Sequence, residues 1–493
     1  MCTINNHLLV HFWGSYMSIF VGRENELGIL KKFLSKNTAS LIVVRGRRRI
    51  GKSRLVEEFA RGHTFYSFSG MPPTSETTAS AQRDEFANQL GERIGIPGIK
   101  ADDWSVLFLL LAKNSQQGRV IILFDEVSWM GSKDPNFLGK FKNAWDLHFK
   151  KNDQLVFILC GSSSSWIERN ILSSTGFVGR ISFTLTLDEL LIKDCLKFWG
   201  KATKNIAAYE KLKVLSIIGG VPKYLEEIDH KTSAEDNIKR LCFTKGGFLV
   251  DEFEHIFSTL FLRRSEMYRK IVKVLGNGAK EIKEICVALN VAQTGRMTGY
   301  LQELELSGFI KRDYSWNIKT GQDSDLSKYR LSDNYLRFYL KYIEKYKTKI
   351  ERNNFTFKSL TALPEWFTIL GLQFENLVLN NRHIIWQKLG VRSEDIVSEN
   401  PFFQRSTKTT AGCQIDYMIQ TKHSCLYVCE IKFSKNQIGA SVINEIQEKI
   451  NRIKKPKGFS CRPVLIHVSE VSQEIIDSDF FAEIIDFGDF LGS

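Results

Sequence analysis

A glycine-containing loop between an apolar segment and a helix-forming segment constrains the fold of this chain more than any other feature. Residues 41–44 read Leu-Ile-Val-Val and predict a short buried strand. They run into the pattern G-x-x-x-x-G-K-S at residues 46–53, which a helix-forming segment follows. The alternative is an ordinary strand-to-helix turn, but such a turn has no need for Lys-Ser at this offset. The pattern therefore predicts a phosphate-binding loop.

The residues of this loop have distinct expected roles. The glycines let the backbone curl so that successive N–H groups point at the phosphates of a nucleotide, and the positive end of the following helix adds to the attraction. Lys52 would reach the terminal phosphates, and the hydroxyl of Ser53 would ligate Mg²⁺. We expect ATP and Mg²⁺ as cofactors, with the nucleotide bound by Gly46, Arg47, Arg48, Arg49, Ile50, Gly51, Lys52 and Ser53.

Two adjacent carboxylates follow a second apolar run. Residues 120–124 predict a strand buried on both faces, and the carboxyl end of such a strand is where an open α/β sheet presents ligand-binding groups. Many strands end in Asp-Glu, but the position of this one downstream of the phosphate loop makes the assignment specific. Asp125 would hold Mg²⁺ directly or through water, and Glu126 would orient and deprotonate the attacking water.

A third apolar run, residues 155–161, ends in four serines. If this strand lies between the two phosphate motifs in the sheet, the side chain of Ser162 could contact the nucleotide and position the water that attacks it. The alternative is a serine-rich turn that caps a helix beginning near Trp166. Further short apolar segments alternate with helical ones, for example a strand at 64–68 and helices at 77–94 and 104–114, which predicts a parallel sheet.

Composition agrees with a large globular protein. A length of 493 residues suggests about three domains at ~150 residues each, and the nine cysteines form no CxxC pair, so we expect neither a zinc site nor disulfides. The simplest location is a reduced cytoplasm, and we expect no signal peptide and no membrane span; the residues before Met17 look like an extension. The net charge of +13, with its greatest basic excess per residue over 260–365, is typical of nucleic-acid contact, although a lysine-rich solvated surface is the alternative.

The amino-terminal two thirds of the chain resembles the AAA+ ATPases. The segment Val21-Gly22-Arg23-Glu24, followed by Glu26-Leu27, resembles the motif that packs beside the adenine in that family, and residues 219–225 (GGVPKYL) resemble a motif of its helical lid. Over residues 20–350 the chain looks like the archaeal and bacterial AAA+ ATPases of the STAND-related branch. The resemblance implies a homo-oligomer, nucleotide sensing near Pro222, and an arginine finger at Arg180. For Pro222 the alternative is a proline that only starts a helix, and for Arg180 it is an ordinary surface arginine.

Residues 260–313 have the spacing of a winged helix. Three amphipathic segments, at 268–275, 282–289 and 294–307, predict a small three-helix core. The third would be the reading helix if the module binds DNA, with Arg296, Lys311 and Arg312 as candidate contacts. In STAND-type ATPases such a module often packs against the ATPase as a regulatory element, so both roles remain open.

The last part of the chain carries a second constellation of charged residues. Residues 412–419 and 425–432 read as two neighbouring strands, the first with Asp416 and the second with Glu430 and Lys432. Period-two alternation places Glu430 and Lys432 on one face, and strand pairing can bring Asp416 beside them. Two such carboxylates can hold Mg²⁺ against a scissile phosphate, while Lys432 orients the water or neutralises developing charge. The alternative is an exposed charged hairpin.

This pattern resembles the PD-(D/E)xK nuclease superfamily. Glu375, in Phe374-Glu375-Asn376-Leu377, matches the additional acidic residue of that family, and Gln414 and Ile415 stand where its name would lead one to expect a proline. The resemblance implies metal binding by Glu375, Asp416 and Glu430 and catalysis by Asp416, Glu430 and Lys432. Lys435, Lys449, Arg452, Lys454 and Lys455 are further candidates for contacts to a nucleic-acid backbone.

The predicted fold class is α/β, with a P-loop NTPase parallel sheet and helical lid, a winged-helix domain, and a carboxyl-terminal α/β restriction-endonuclease-like domain. The expected boundaries are 1–187 for the ATPase core, 188–259 for the lid, 260–350 for the winged helix and linker, and 351–493 for the nuclease-like domain. The leading hypothesis is an ATP-hydrolysing enzyme coupled to binding or cleavage of nucleic acid, DNA in the first place. The competing hypothesis is a STAND-type regulatory scaffold whose last domain binds a partner or DNA without cutting.

Overall fold

A parallel five-stranded sheet forms the centre of the amino-terminal part of the molecule. The computed structural model describes residues 20–74, 76–261, 265–434 and 436–492, without the side chains of 258–261. The amino-terminal extension and Lys435 lie outside the described residues. The strands run in the order β2-β3-β4-β1-β5, and their bounds are β1 Ser40–Gly46, β2 Thr64–Ser69, β3 Val120–Asp125, β4 Val156–Gly161 and β5 Ile181–Leu187.

The uninterrupted apolar strands are explained by burial on both faces of this sheet. Because side chains alternate along a strand, Leu41 and Val43 of β1 face one core and Ile42 and Val44 face the other. The second core is closed by α1 Glu24–Lys31 and α2 Lys52–Phe59. The first is closed by α3 Ala79–Ile94, α4 Trp104–Lys113 and α6 Phe137–Leu147, while the short helices α5 Val127–Met130 and α7 Ser164–Ile167 follow β3 and β4.

A run of helices continues the chain after β5. The first group is α8 Ile192–Cys195, α9 Ala208–Ile218, α10 Pro222–Leu225, α11 Ala234–Cys242 and α12 Glu252–Phe261, which we call the lid. The second group is α13 Ser265–Leu275, α14 Ile282–Ala288 and α15 Gly295–Leu306, followed by the antiparallel hairpin β6 Ile310–Trp316 and β7 Asp323–Leu331 and by α16 Asn334–Phe338 and α17 Glu344–Glu351. Three helices and a hairpin lie where the spacing places a winged helix, and that assignment stays a prediction.

A second, mixed sheet forms the carboxyl-terminal part. Its order is β12-β11-β10-β9-β8, in which β8, β9 and β10 are antiparallel and β10, β11 and β12 are parallel. The strands are β8 Ile396–Gln404, β9 Cys413–Thr421, β10 Cys425–Lys432, β11 Ser460–His467 and β12 Glu483–Asp486, and the helices are α18 Trp366–Asn380, α19 Arg382–Lys388, α20 Ser441–Arg452 and α21 Gln473–Asp477. None of the helices in the described ranges combines the length and apolarity needed to cross a membrane.

One continuous hydrophobic core joins the lid to the carboxyl-terminal sheet. It runs from Leu190 to Leu491 and includes apolar residues of the lid, of α13 to α16, of α18 and of one face of the mixed sheet. The hairpin also contacts β9 directly, since the indole N–H of Trp316 donates to Oε1 of Gln420 at 2.6 Å. The sequence-based boundaries at 259 and 350 stay predictions, and the packing is continuous across both.

Candidate nucleotide site and carboxylate pair

The phosphate loop is shaped by two glycines that no other residue could replace without strain. Gly46 ends β1, and a Cβ atom there would lie 2.5 Å from the carbonyl oxygen of Leu187. Gly51 precedes α2 with a φ of 86°, in the left-handed region that favours glycine. The loop therefore curls tightly between strand and helix, with the amino end of α2 directed at the space where phosphates would bind.

Lys52 is buried at the beginning of α2. Its side chain is 6% exposed, and its ammonium donates to the carbonyl oxygens of Gly46 at 3.1 Å and Arg47 at 3.0 Å. A triphosphate in the loop would compete with these two carbonyls for the same ammonium, because the lysine of this motif reaches the terminal phosphates.

The predicted metal ligands of this site lie against each other. The hydroxyl of Ser53 donates to Oδ2 of Asp125 at 2.6 Å, so residues on α2 and at the end of β3 meet at one edge of the sheet. A hydroxyl and a carboxylate oxygen are the ligands that Mg²⁺ prefers, together with water and nucleotide phosphates. The side chains of Ser53 and Asp125 therefore suit Mg²⁺. A bound Mg²⁺ ion would neutralise charge on the terminal phosphates.

Glu126 is held by the neighbouring strand. Its backbone has a φ of 50°, and its Oε2 accepts from the hydroxyl of Ser162 at 2.9 Å and from the amide of Ser162 at 3.1 Å. Because β4 lies between β3 and β1 in the sheet, Ser162 stands between the carboxylates and the phosphate loop, and its role in positioning the water stays a prediction. The structure therefore brings Lys52, Ser53, Asp125, Glu126 and Ser162 to the same edge of the sheet.

Two arginines of the phosphate loop are bound by distant carboxylates, which sequence reasoning missed. Nη1 of Arg47 lies 3.1 Å from Oε1 of Glu189 and 2.5 Å from Oδ2 of Asp333. Nε of Arg49 lies 2.5 Å from Oε1 of Glu252, a fully buried carboxylate at the start of α12. No local sequence signal predicts the contacts that Glu189, Glu252 and Asp333 make with the loop, because each contact depends on tertiary packing.

The glycine pair of the lid fits closely against the segment that joins β5 to α8. A Cβ atom on Gly220 would lie 2.3 Å from the carbonyl oxygen of Leu190. The amide of Gly220 donates to Oε2 of Glu189 at 2.9 Å, and burial raises the pKa of Glu189 to about 7 although Arg47 lowers it. Pro222 begins α10 directly over the loop, since its Cγ would be 3.8 Å from a Cβ on Gly51.

Arg180 lies at the opposite edge of the sheet. It immediately precedes β5, whose first residues pair with Leu41 and whose last residue, Leu187, pairs with Gly46. Its guanidinium binds Asp146 through two nitrogens, Nε at 3.0 Å from Oδ1 and Nη2 at 2.7 Å from Oδ2. Arg180 is therefore remote from the nucleotide site of its own chain, and its role as an arginine finger stays a prediction.

The second constellation is assembled on β9 and β10. The antiparallel pairs end at Cys429 and Tyr417, so Glu430 and Asp416 are the next residues on neighbouring strands. The amide of Ile431 donates to Oδ2 of Asp416 at 3.0 Å. Two carboxylates of the predicted set therefore lie side by side.

Two ammonium groups neutralise Glu430. Lys432 lies 3.2 Å from Oε1 of Glu430, and Lys449 of α20 lies 2.5 Å from its Oε2. Lys432 also lies 2.8 Å from Glu445. Lys449, expected from the sequence as a contact to a nucleic-acid backbone, faces the carboxylates, and that expected contact stays a prediction. The helical segment gives no signal that would have distinguished Lys449 from Arg452.

Burial raises the pKa values of the other two carboxyl groups. The pKa of Asp416 is raised to about 6, first by burial and then by Glu430. The pKa of Glu375 on α18 is raised to about 7, first by burial and then by the charge of Asp416. Within the described ranges, no group of three or more His, Cys, Asp or Glu side chains is placed so as to hold a metal ion. Asp416 and Glu430 suit a Mg²⁺ ion that keeps several waters, which would have to displace an ammonium from Glu430.

The predicted reading helix packs against the ATPase core. Arg169 lies 3.6 Å from Glu303 of α15, and Lys311 lies 3.7 Å from Asp188. Arg312 donates through Nε to the hydroxyl of Ser327 at 2.9 Å. The exposed residues at the amino end of α15, including Arg296, are those that remain open to a partner.

Comparison with known proteins supports an ATPase domain in the amino-terminal part of the chain. Residues 20–228 match the family model of an ATPase domain predominantly from Archaea. An uncharacterized protein of Methanocaldococcus jannaschii is 27% identical over 362 residues, which cover 73% of this chain and 76% of that protein.

Two solved structures give partial superpositions. A Walker-type ATPase of Pyrococcus abyssi has a TM-score of 0.48 at 17% identity and covers 65% of this chain and 96% of its own. The ORC2 protein of Aeropyrum pernix, in its ADPNP–ADP complexes, has a TM-score of 0.42 at 11% identity and covers 67% of this chain and 94% of its own. The family match and the geometry of the loop support ATP binding and hydrolysis by residues 20–228.

Proposed function

We propose that this protein is an AAA+ ATPase that couples ATP hydrolysis to a metal-dependent, nuclease-like domain acting on nucleic acid, DNA in the first place. The observation that carries the second half is the placement of Asp416 and Glu430 on neighbouring strands with Lys432 and Lys449 bound to Glu430. Buried carboxylates placed side by side repel each other unless a cation or a proton intervenes. The ammonium groups supply that charge here, and a divalent ion would supply it in the active state.

The chemistry assigned to each residue follows from this arrangement. Asp416 and Glu430 would hold Mg²⁺, which polarises a phosphodiester and lowers the pKa of a bound water. Lys432 has a pKa above its usual range, because its hydrogen bond to Glu445 and the charge of Glu430 outweigh the effect of burial. It therefore stays an ammonium and would neutralise charge that develops on the phosphate. Glu375 would serve as a further acidic residue beside Asp416.

Cleavage assays with matched variants test this proposal. Asp416→Asn and Lys432→Ala should abolish Mg²⁺- or Mn²⁺-dependent cleavage of DNA, while ATP hydrolysis stays close to wild type. The controls are Glu474→Gln and Lys422→Ala, which remove exposed charges elsewhere in the same part of the chain and should leave both activities in place. If wild-type protein with ATP, metal and varied DNA and RNA forms cuts nothing, and calorimetry finds no metal bound at Asp416, the nuclease half fails.

A STAND-type regulatory scaffold is the second candidate function, and one observation favours it. The predicted reading helix α15 is partly covered by the ATPase core through Glu303 and its neighbours, and Lys311 of the hairpin faces Asp188. In that case the module would report the nucleotide state, and the last domain would bind a partner or DNA without cutting. Nucleotide-dependent assembly in the absence of cleavage would support this reading. We expect homo-oligomers under either function.

A further inference from the structure

We propose that the state of the phosphate loop is transmitted to α18, the helix that carries Glu375, through one buried polar connection, which runs from Arg47 through Asp333. The inference rests on the proposed function only where it assigns a role to Glu375 on α18. The connection itself consists of contacts between described residues and is testable without any nuclease assay.

The first step links the phosphates to the backbone of Arg47. The ammonium of Lys52 donates to the carbonyl oxygens of Arg47 and Gly46. A bound triphosphate attracts that ammonium, so these carbonyls lose a charged donor when ATP binds. The backbone of Arg47 therefore has two different environments, one with nucleotide and one without.

The second step links the side chain of Arg47 to Asp333. Arg47 is 4% exposed and Asp333 is 1% exposed, and their charged groups lie 2.5 Å apart. Burial lowers the pKa of Arg47, but Asp333, Tyr224, Glu189 and Glu252 together more than offset this, and the pKa lies above its usual range. Because an unpaired buried charge is strongly unfavourable, a displacement of Arg47 must either carry Asp333 along or break the pair and change the packing around it.

The third step ties Asp333 to α18. Asp333 caps α16 by accepting from the amide of Leu336 at 2.9 Å. The next residue, Asn334, accepts at its Oδ1 from Asn376 at 2.9 Å and at its backbone oxygen from Gln373 at 2.7 Å. Asn376 and Gln373 belong to α18, which also carries Glu375.

Two buried arginines keep this connection rigid. Arg330 binds Asp313 through Nε at 2.9 Å and also donates to Oδ1 of Asn376. Arg337 donates to Oε1 of Gln373 at 2.7 Å and to the carbonyl oxygen of Leu331 at 2.7 Å. Side-chain hydrogen bonds of this kind rigidify the core in which they lie, so we expect α16 and α18 to shift together.

The neighbouring arginine of the loop supplies an internal control. Arg49 binds Glu252, which also accepts from the hydroxyl of Tyr224 at 2.9 Å. These partners belong to α12 and α10 of the lid. The contact between Arg49 and Glu252 therefore clamps the same loop to the lid. The ring of Tyr224 also packs against Tyr335 of α16, with the ring centroids 5.5 Å apart, but this contact carries no charge.

Hydrogen–deuterium exchange of the full-length protein tests the connection. With saturating non-hydrolysable ATP analogue, exchange in residues 366–380 should change by about fivefold or more in the wild type, the lower range of typical coupling between sites. Asp333→Asn should bind the analogue but lose this response, and Glu252→Gln should bind it and keep the response. Arg47→Gln interrupts the same contact from the other side and leaves the cap on α16 intact, should Asp333→Asn fail to fold.

A double variant makes the assignment specific. If the two residues act through each other, Arg47→Gln combined with Asp333→Asn should alter the α18 response no more than either single variant does. A full response in Asp333→Asn or Arg47→Gln, or no response in wild-type protein shown to have bound the analogue, would overturn the inference. Loss of cleavage or of metal binding alone would instead count against the proposed function, because the exchange measurement does not depend on either.

Discussion

The hydroxyl of Ser162 donates a hydrogen bond to Oε2 of Glu126 over 2.9 Å, and its amide donates to the same oxygen over 3.1 Å. One carboxylate oxygen of Glu126 is thereby fixed to the end of β4, while Asp125 beside it contacts Ser53. The two adjacent carboxylates thus have separate partners, which agrees with separate roles in metal binding and water activation.

Replacing Ser162 tests the value of this contact. Ser162→Ala should leave ATP affinity unchanged and lower turnover roughly 2- to 10-fold, because a net hydrogen bond contributes about 0.5–1.5 kcal/mol and the amide still holds the carboxylate. Steady-state hydrolysis measured alongside nucleotide titration gives both quantities. Ser165→Ala, in the same serine run, is the control, and an equal loss in that variant would mean that the turn matters rather than the contact.

Glu126→Gln should preserve nucleotide binding and reduce turnover by about 10²–10⁴-fold, since shape and metal ligands survive while the general base is lost. Single-turnover hydrolysis with saturating ATP measures the chemical step. Turnover at the wild-type rate would show that Glu126 merely ends a strand.

Lys52→Ala should weaken ATP binding by roughly 10- to 100-fold, because a charge-assisted hydrogen bond is worth about 1.5–3 kcal/mol. Calorimetric titration with ATP and Mg²⁺ measures the loss. The control is Lys113→Ala, which removes an exposed lysine of the same domain; wild-type affinity in Lys52→Ala would contradict the assignment of the phosphate loop.

Substitutions of Arg180 and of Asp146 should have different effects on ATP hydrolysis. Arg180→Ala should leave binding intact and lower hydrolysis if the arginine acts on a neighbouring subunit, whereas Asp146→Asn, which breaks the same ion pair, should not lower it. Mixing Arg180→Ala with Lys52→Ala protein should restore some activity at mixed interfaces. Full activity of Arg180→Ala, or equal losses of hydrolysis in both variants, would mean that the ion pair only stabilises the fold.

The carboxyl groups of the mixed sheet should make stability depend on pH. Because the pKa values of Asp416 and Glu375 are raised to about 6 and about 7, the folded protein keeps protons that the unfolded chain has already released. The free energy of unfolding should therefore fall as pH rises from about 4 to about 7.

Thermal melts across this interval, with a chelator present, measure the effect. The double variant Asp416→Asn with Glu375→Gln should show a shallower decline in Tm than wild type, and added Mn²⁺ should raise the wild-type Tm most at the upper end, where the carboxylates are ionised. An identical pH profile in both proteins would mean that these groups titrate normally.

Much of the fold could be predicted because local patterns encode it. The apolar runs that become β1, β3 and β4 are buried on both faces, and the residues at their carboxyl ends meet where a parallel sheet requires. The pairing of Asp416 with Glu430 followed from strand alternation and one turn. Each of these predictions depends on residues that are close in sequence or on a rule of sheet geometry.

The contacts that connect the parts of the molecule could not be predicted in this way. Asp333 reads locally as a helix cap, and only the packed structure places it against Arg47. The counts of charged residues also do not show where those residues lie in the fold. The basic middle of the chain predicts a nucleic-acid surface, and that stays a prediction; the count does not reveal that Arg330 is buried against Asp313 or that Arg269 pairs with Glu254.

The continuous core from Leu190 to Leu491 has an evolutionary consequence. A segment that shares its apolar interior with another cannot be exchanged alone, because each side would present surfaces shaped for its former neighbour. Recombination between relatives would preserve a folded product only if crossovers fell before residue 190, so that lid, hairpin module and mixed sheet are inherited as one block. Substitutions that adapt the last sheet to a new ligand would accordingly be accompanied by compensating changes in the lid.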